Sequence, residues 1–286
     1  MLFNGNGDVS MILAVKLFGT EHLIIAAISF ILLGVGAYFT RKVKLETMIK
    51  ALFAVGICSE VIKVFYFIID NEDKFHGYLP KTDLPFHLCS IQIIFIMILY
   101  FSKNERLKRL LMAFMIPSCL FGSIFAILIA TESARGMGII TFQYFGYHIA
   151  IGIFAIRLLL DKEMKWTVKD YLHSLALLGF FGMLSIYINS FLNGSFKFDQ
   201  VITGDTITNY EDSSFIFDLT NINFMYTVRA PQEGLPYLNT DHGWFVYIVH
   251  YGLLAVILIS LVYIKQIIDV FRKKTPTDLV GEKSTK

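Results

Sequence analysis

Charged residues are scarce in this sequence. Asp, Glu, Lys and Arg make up 17% of its 286 residues, whereas soluble domains carry about 25%. Hydrophobic residues make up 55%. This balance argues against an ordinary soluble domain.

Several common chemical motifs are also missing. The three cysteines, Cys58, Cys89 and Cys119, form no Cys-x-x-Cys pair and show no spacing typical of a disulfide framework. The 7 histidines are scattered, with no His-x-x-x-His motif or carboxylate cluster that would predict a metal site. No glycine-rich phosphate loop is present, and no basic segment of a signal peptide precedes the first apolar stretch. The sequence predicts neither a metal nor a dissociable cofactor.

Seven long apolar runs are the main positive feature. Each is free of formal charge or nearly so, and a membrane-spanning helix needs about 20 mostly apolar residues. The runs predict an all-α, polytopic protein of the cell membrane, with a bundle of seven transmembrane helices, and leave its oligomeric state open. They cover residues 23–40, 51–69, 84–102, 110–131, 136–156, 171–196 and 243–264.

The basic residues alternate between the two sides of this predicted bundle. Most of the 25 lysine and arginine residues lie in the first, third and fifth connections and in the C-terminal tail. The positive-inside rule assigns such segments to the cytoplasm, so the N-terminus is predicted outside and the C-terminus inside. The basic clusters are short and adjoin apolar runs, which is typical of topology signals and gives no indication of nucleic-acid binding.

The runs divide the chain into three parts. Residues 1–21 are predicted to form an external or interfacial segment, residues 22–270 the transmembrane domain, and residues 271–286 a disordered cytoplasmic tail. The longest connection, residues 194–242, is external and rich in Asn, Asp, Thr and Ser. A connection of this length is either a functional lid or disordered, and the sequence leaves both open.

One run begins with a histidine and a cysteine, in the segment 84–92 (LPFHLCSIQ). Cys89 is predicted to lie about one turn inside the outer membrane edge, at the depth of lipid ester groups. A helix turns about 100° per residue, so His87 lies nearly opposite Cys89, whereas Gln92 shares its face. No role is assigned to His87, and a base for Cys89 has to come from another helix.

His148 in the fifth run is the best candidate for that base. Tyr144, His148 and Gly152 are spaced by four residues and form a stripe of polar and small residues suited to the bundle interior. With a base beside it, a cysteine thiolate attacks an ester or thioester carbonyl, and Gln92 becomes a candidate to hold the oxyanion. The alternative is that Cys89 is a small apolar packing residue and His148 a hydrogen-bonding link between helices.

Glu60 and Lys63 interrupt the second run. They are three residues apart on one helical face, and ionisable groups inside a membrane mark functional sites or pair with one another. The two residues are therefore either a polar wall of a cavity or an internal ion pair. Together with His148 they also support an alternative class of protein, a transporter or ligand-binding membrane protein.

Three short segments, taken in their order along the chain, resemble the sequence pattern of one protein family. They are LPFHLCS at 84–90, FGYH at 145–148, and NINFMY at 221–226 followed by RAP at 229–231. This pattern resembles the YwaF-type family of bacterial integral membrane proteins, over roughly residues 20–265. Phe224 stands where that family commonly has tyrosine, and the pair Ala230-Pro231 replaces its Lys-Pro.

The resemblance implies a function. Animal relatives of the family resemble a membrane acyltransferase that moves a fatty acyl chain onto ether lysophospholipids through a cysteine. Carried over, this implies that Cys89 accepts the acyl group, that His148 is the base, and that Asn223 orients the substrate or stabilises the oxyanion. Tyr144 would line the substrate site, and membrane lipids would be the substrates.

Overall fold

The computed structural model describes residues 17–70, 87–130, 138–202 and 243–273. Within these ranges the regular structure is helical and contains no β-strand, which confirms the all-α class for this part of the chain. A π-helix, Phe65–Asp70, continues the second α-helix. The α-helices are α1 Thr20–Thr40, α2 Leu45–Val64, α3 Leu88–Phe101, α4 Glu105–Leu128, α5 Ile139–Leu159, α6 Val168–Ile202, α7 Gly243–Val262 and α8 Ile264–Lys273.

Each of the seven apolar runs coincides with one of these helices, but fewer are clear membrane spans. Among the described residues, α1, α2 with its π-helical extension, α4 and α5 are long and apolar enough to cross a membrane. α3 has only 14 residues. The end of α7 and the start of α8 would make a fifth span only if counted together, and they are bent by 74°. The number of candidate spans is therefore four to five.

The surfaces of these helices match a lipid environment. Large apolar side chains are widely exposed, among them Phe142 at 78%, Phe39 at 73% and Tyr187 at 68%. Soluble monomers rarely expose contiguous apolar surface on this scale. The exposed rings are therefore expected to face lipid rather than water.

The interior is organised around α4 and α5. α5 contacts α1, α2 and α4, and α4 also contacts α3, α6 and α7. Side chains such as Ile116 and Phe154 are fully buried between them. At Gly152 a Cβ atom would lie 2.5 Å from Ser123 Oγ and 2.7 Å from Leu33 Cδ1. Only glycine allows α1, α4 and α5 to approach so closely, as small residues do in membrane bundles.

Two predicted boundaries shift. α6 continues through Ile202, so residues 194–202 are helical rather than part of the long connection. α8 ends at Lys273, so the first residues of the predicted tail are helical too. Hydropathy does not predict either extension, because polar residues can continue a helix but do not raise the local hydropathy. Residues 1–16, 203–242 and 274–286 lie outside the described residues.

Candidate functional site

Cys89 lies in the first turn of α3. His87 precedes the helix, and its carbonyl oxygen accepts the first helical hydrogen bond, from Ile91 N at 2.9 Å. The Cys89 side chain is half-buried and packs against α4, where a Cβ added to Gly122 would lie 3.6 Å from its Sγ atom. The thiol therefore sits at the start of a helix, beside a position that has no side chain.

His148 lies on α5 with its ring fixed in one orientation. Its Nδ1 atom is 2.7 Å from the carbonyl oxygen of Tyr144, and a carbonyl only accepts hydrogen bonds. Nδ1 therefore carries the proton of the neutral ring, and Nε2 holds the basic lone pair. The side chain is 6% exposed. This is the tautomer that a general base needs.

Tyr147 connects the cysteine and the histidine. Its hydroxyl donates to the carbonyl oxygen of Cys89 at 2.9 Å, and its ring centroid is 5.8 Å from that of His148. From the other side, Ser123 donates to the carbonyl oxygen of His148 at 2.7 Å, next to the Gly122 that contacts Cys89. The two candidate residues therefore lie in one layer of the bundle, although no hydrogen bond joins them within the described part of the chain.

Tyr147, Gly122 and Ser123 had not been singled out from the sequence. Tyr147 is part of the FGYH segment at 145–148, so its place beside His148 was a usable signal. Gly122 and Ser123 gave none, because their importance depends on how α4 is rotated against its neighbours.

Gln92 is buried and fully engaged. Its amide nitrogen donates to Leu88 O at 3.0 Å and to Ser118 Oγ at 3.2 Å, and its amide oxygen accepts from Cys119 Sγ at 3.4 Å. A side-chain amide has two N–H donors, so neither is left for an oxyanion. In this arrangement Gln92 links α3 to α4.

The other predicted site residues divide into two groups. Tyr144 flanks His148, with ring centroids 4.4 Å apart, and its hydroxyl donates to Ala126 O at 3.1 Å. Asn223 and the rest of the segment 203–242 lie outside the described residues. Tyr144 therefore belongs to the Cys89–His148 layer, whereas no position is assigned to Asn223.

Glu60 and Lys63 form the ion pair that their spacing predicts. Their charged atoms are 2.9 Å apart, and the two side chains are 27% and 9% exposed. Beside them, Gln143 of α5 donates to Ser59 Oγ at 2.6 Å. Ser59, next to Glu60, is thus tied to α5 five residues before His148. Among the described residues, no cluster of three or more metal-ligating side chains occurs.

Helices long and apolar enough to cross a membrane, with large apolar side chains exposed on their surfaces, define a helical membrane protein. A model of the TMEM164 family, a transmembrane protein family, matches residues 17–263. The chain belongs to this family. Searches of curated proteins and of solved structures found no match.

Proposed function

We propose that this protein transfers or hydrolyses lipid acyl groups, with Cys89 as nucleophile and His148 as general base. The observation that carries the proposal is the hydrogen bond from the Tyr147 hydroxyl to the Cys89 carbonyl, which places the residue next to His148 against the start of α3. The half-buried thiol beside Gly122 and the basic Nε2 atom of His148 also support it. So does the resemblance to YwaF-type proteins and their acyltransferase relatives.

The proposed reaction has two halves. In the first, Sγ of Cys89 attacks an ester carbonyl while His148 Nε2 takes the thiol proton. The C–O bond then breaks, and the alcohol leaves with that proton, so that an acyl thioester remains on Cys89. In the second half, a lysolipid hydroxyl or water attacks the thioester. His148 takes its proton and returns it to the sulfur of Cys89.

The start of α3 offers a site for the oxyanion. The first N–H groups of a helix have no intrahelical acceptor, and here the first helical bond begins at Ile91 N. The amides of Cys89 and Ser90 precede it. Donors of this kind stabilise the charge of a tetrahedral intermediate. The backbone amides would stabilise the oxyanion because both N–H donors of the Gln92 amide are already engaged. Asn223, in the long connection, is proposed as a further contact to the oxyanion.

The proposal includes the topology predicted from the sequence. Seven spans with the N-terminus outside would make the protein a multi-pass protein of the cell membrane, with Cys89 near the outer leaflet. Membrane-impermeant thiol labelling of Asn4→Cys and Lys286→Cys, on a background without the native cysteines, is expected to modify only residue 4 in intact cells. Labelling of both positions, or of neither, would contradict an odd number of spans.

The decisive experiment is mass spectrometry of the purified protein. We expect an acyl adduct on the peptide that contains Cys89, removable by hydroxylamine as a thioester is. The peptides containing Cys58 and Cys119 are internal controls and should remain unmodified. A protein incubated with ester lipids that carries no adduct on Cys89, even after rapid quenching, would contradict the proposal.

The second candidate function is transport of a small molecule or ion. It is favoured by the Glu60–Lys63 pair in an apolar helix, because ionisable groups at such positions often mark pathways. Glu60, Lys63 and His148 would then line a polar path, with no covalent step. Uptake by proteoliposomes that persists in Cys89→Ser and disappears in a charge-neutral Glu60 and Lys63 variant would favour transport.

A further inference from the structure

A second site candidate lies at the other end of the bundle, between the first turns of α4 and α6. It is a cleft of about 610 Å³, remote in the fold from the start of α3. We call it the α4–α6 cleft. Its lining comprises Arg106, Leu107, Arg109, Leu110, Thr167, Lys169, Asp170 and His173.

The one carboxylate in the cleft is already neutralised. Asp170 accepts two hydrogen bonds from Arg109, both at 2.8 Å, and two from the backbone and hydroxyl of Thr167, at 2.7 and 2.8 Å. Its side chain is 2% exposed. Arg109 also donates to Lys165 O and is thereby held in place. Asp170 therefore presents little negative charge to a ligand.

Two cations in the cleft have no such partner. Arg106 and Lys169 are exposed, and within the described part of the chain neither forms an ion pair. Glu105, which precedes Arg106, pairs with Lys108 at 2.9 Å instead, and Asp170, which follows Lys169, pairs with Arg109. His173 lines the same wall. The cleft thus has a net positive charge contributed by two different helices.

The cleft also lies close to the bend between α7 and α8. Tyr263 donates to Ala113 O at 2.8 Å, one turn along α4 from Arg109, and at this residue the chain bends by 74° from α7 into α8. Trp166 lies beside Arg109, 5.6 Å from its guanidinium carbon, and tryptophan is enriched at membrane interfaces. The apolar side chains of Leu107 and Leu110 also line the cleft, and Leu107 packs against the hydrophobic core. A ligand here would therefore meet both cations and apolar groups.

We propose that the α4–α6 cleft binds the phosphate head group of an anionic phospholipid from the leaflet on its side of the membrane. Basic pockets between transmembrane helices are suited to such head groups. Arg106 and Lys169 would contact the phosphate, and Leu107 and Leu110 the start of the acyl chains. The site is independent of the Cys89 chemistry, so either proposal can fail without the other.

The test is native mass spectrometry of the full-length protein titrated with phosphatidylglycerol, and with phosphatidylcholine for comparison. Each basic residue near an anionic lipid surface contributes about fivefold to binding, so Arg106→Gln with Lys169→Gln should weaken phosphatidylglycerol binding by roughly 25-fold. Lys169→Gln alone, at an exposed position, should weaken it about fivefold. Binding of phosphatidylcholine should change little in either variant.

The matched control is Lys103→Gln with Lys162→Gln. It removes the same charge from the two neighbouring connections, and neither lysine lines the cleft. Because a surface charge outside the cleft lining acts on the lipid only through solvent, this variant should weaken binding clearly less than the cleft double variant does. Equal losses in both double variants, or no loss in the cleft variants, would overturn the proposal. Binding of inorganic phosphate without any binding of phosphatidylglycerol would also overturn it, and would identify a site for a free anion.

Discussion

Cys89→Ser is expected to abolish lipid acyl turnover while leaving the fold intact. The two side chains have nearly the same shape, so the contact with Gly122 is kept. A hydroxyl gives up its proton far less readily than a thiol, so serine is a much poorer nucleophile than cysteine beside the same base. Loss of the nucleophile in a covalent enzyme costs on the order of 10³-fold or more in turnover. The measurement is release and transfer of a labelled fatty acyl chain by the purified variant in lipid nanodiscs.

The matched controls are Cys58→Ser and Cys119→Ser. Cys58 is exposed on α2, and Cys119 is buried with its thiol on the amide oxygen of Gln92, a contact that a serine hydroxyl can also make. Both variants should keep turnover close to the wild type, apart from small packing costs. Wild-type turnover in a well-folded Cys89→Ser protein would end the acyl-transfer proposal and leave transport as the better one.

His148→Ala should lose turnover as well, and the two losses should not add, because a nucleophile and its base act as one unit. A thiol-reactive lipid analogue separates this role from packing. If His148 only packs against Tyr144 and Tyr147, its removal lowers stability but leaves the labelling rate of Cys89 unchanged. If it is the base, labelling of Cys89 becomes slow in His148→Ala.

Hydropathy predicts the helices well where composition changes sharply. α1 occupies Thr20–Thr40 against a predicted run of 23–40, since charged residues bound that run at its C-terminal end. α4 begins at Glu105, ahead of its run at 110, because the Asn104 side chain accepts from Arg106 N and Leu107 N and caps a charged first turn. A capping residue of this kind is readable in the sequence, but an apolar count does not include it.

Hydropathy predicts less where the chain is apolar throughout. α3 covers Leu88–Phe101 of the predicted run of 84–102, because a count of apolar residues does not register where the helix begins within the stretch LPFHLC. The π-helix at Phe65–Asp70 and the bend between α7 and α8 leave no signal in the hydropathy of the chain.

For the candidate site too, the sequence predicts contacts within one helix but not contacts between helices. The i, i+3 spacing places Gln92 on the face of Cys89 and pairs Glu60 with Lys63, since helical geometry fixes both. The bond from Tyr147 to Cys89 crosses 58 residues of sequence. It depends on the offset of α3 against α5, which no periodicity reveals, and the same holds for the contacts that engage the Gln92 amide.

Lys63→Met is expected to destabilise the protein by about 3 kcal/mol, because it leaves the carboxylate of Glu60 without its cation in an apolar helix. The lysine side chain is 9% exposed and the glutamate 27%, so the estimate is taken at the lower end of the range for buried pairs. Methionine keeps most of the volume and apolar stem of lysine, so that the change reports mainly on charge.

The double variant Glu60→Leu with Lys63→Met should regain most of that stability, because replacing a buried ion pair by apolar residues is often neutral or stabilising. The measurement is the midpoint of thermal unfolding in detergent for the wild type, Lys63→Met, Glu60→Leu and the double variant. This double-mutant cycle isolates the interaction between Glu60 and Lys63. Each single change leaves one charge without its partner, whereas the double change removes both charges. Equal midpoints for the wild type and Lys63→Met would mean that Glu60 does not need the ammonium group, and the pair would then contribute nothing to stability.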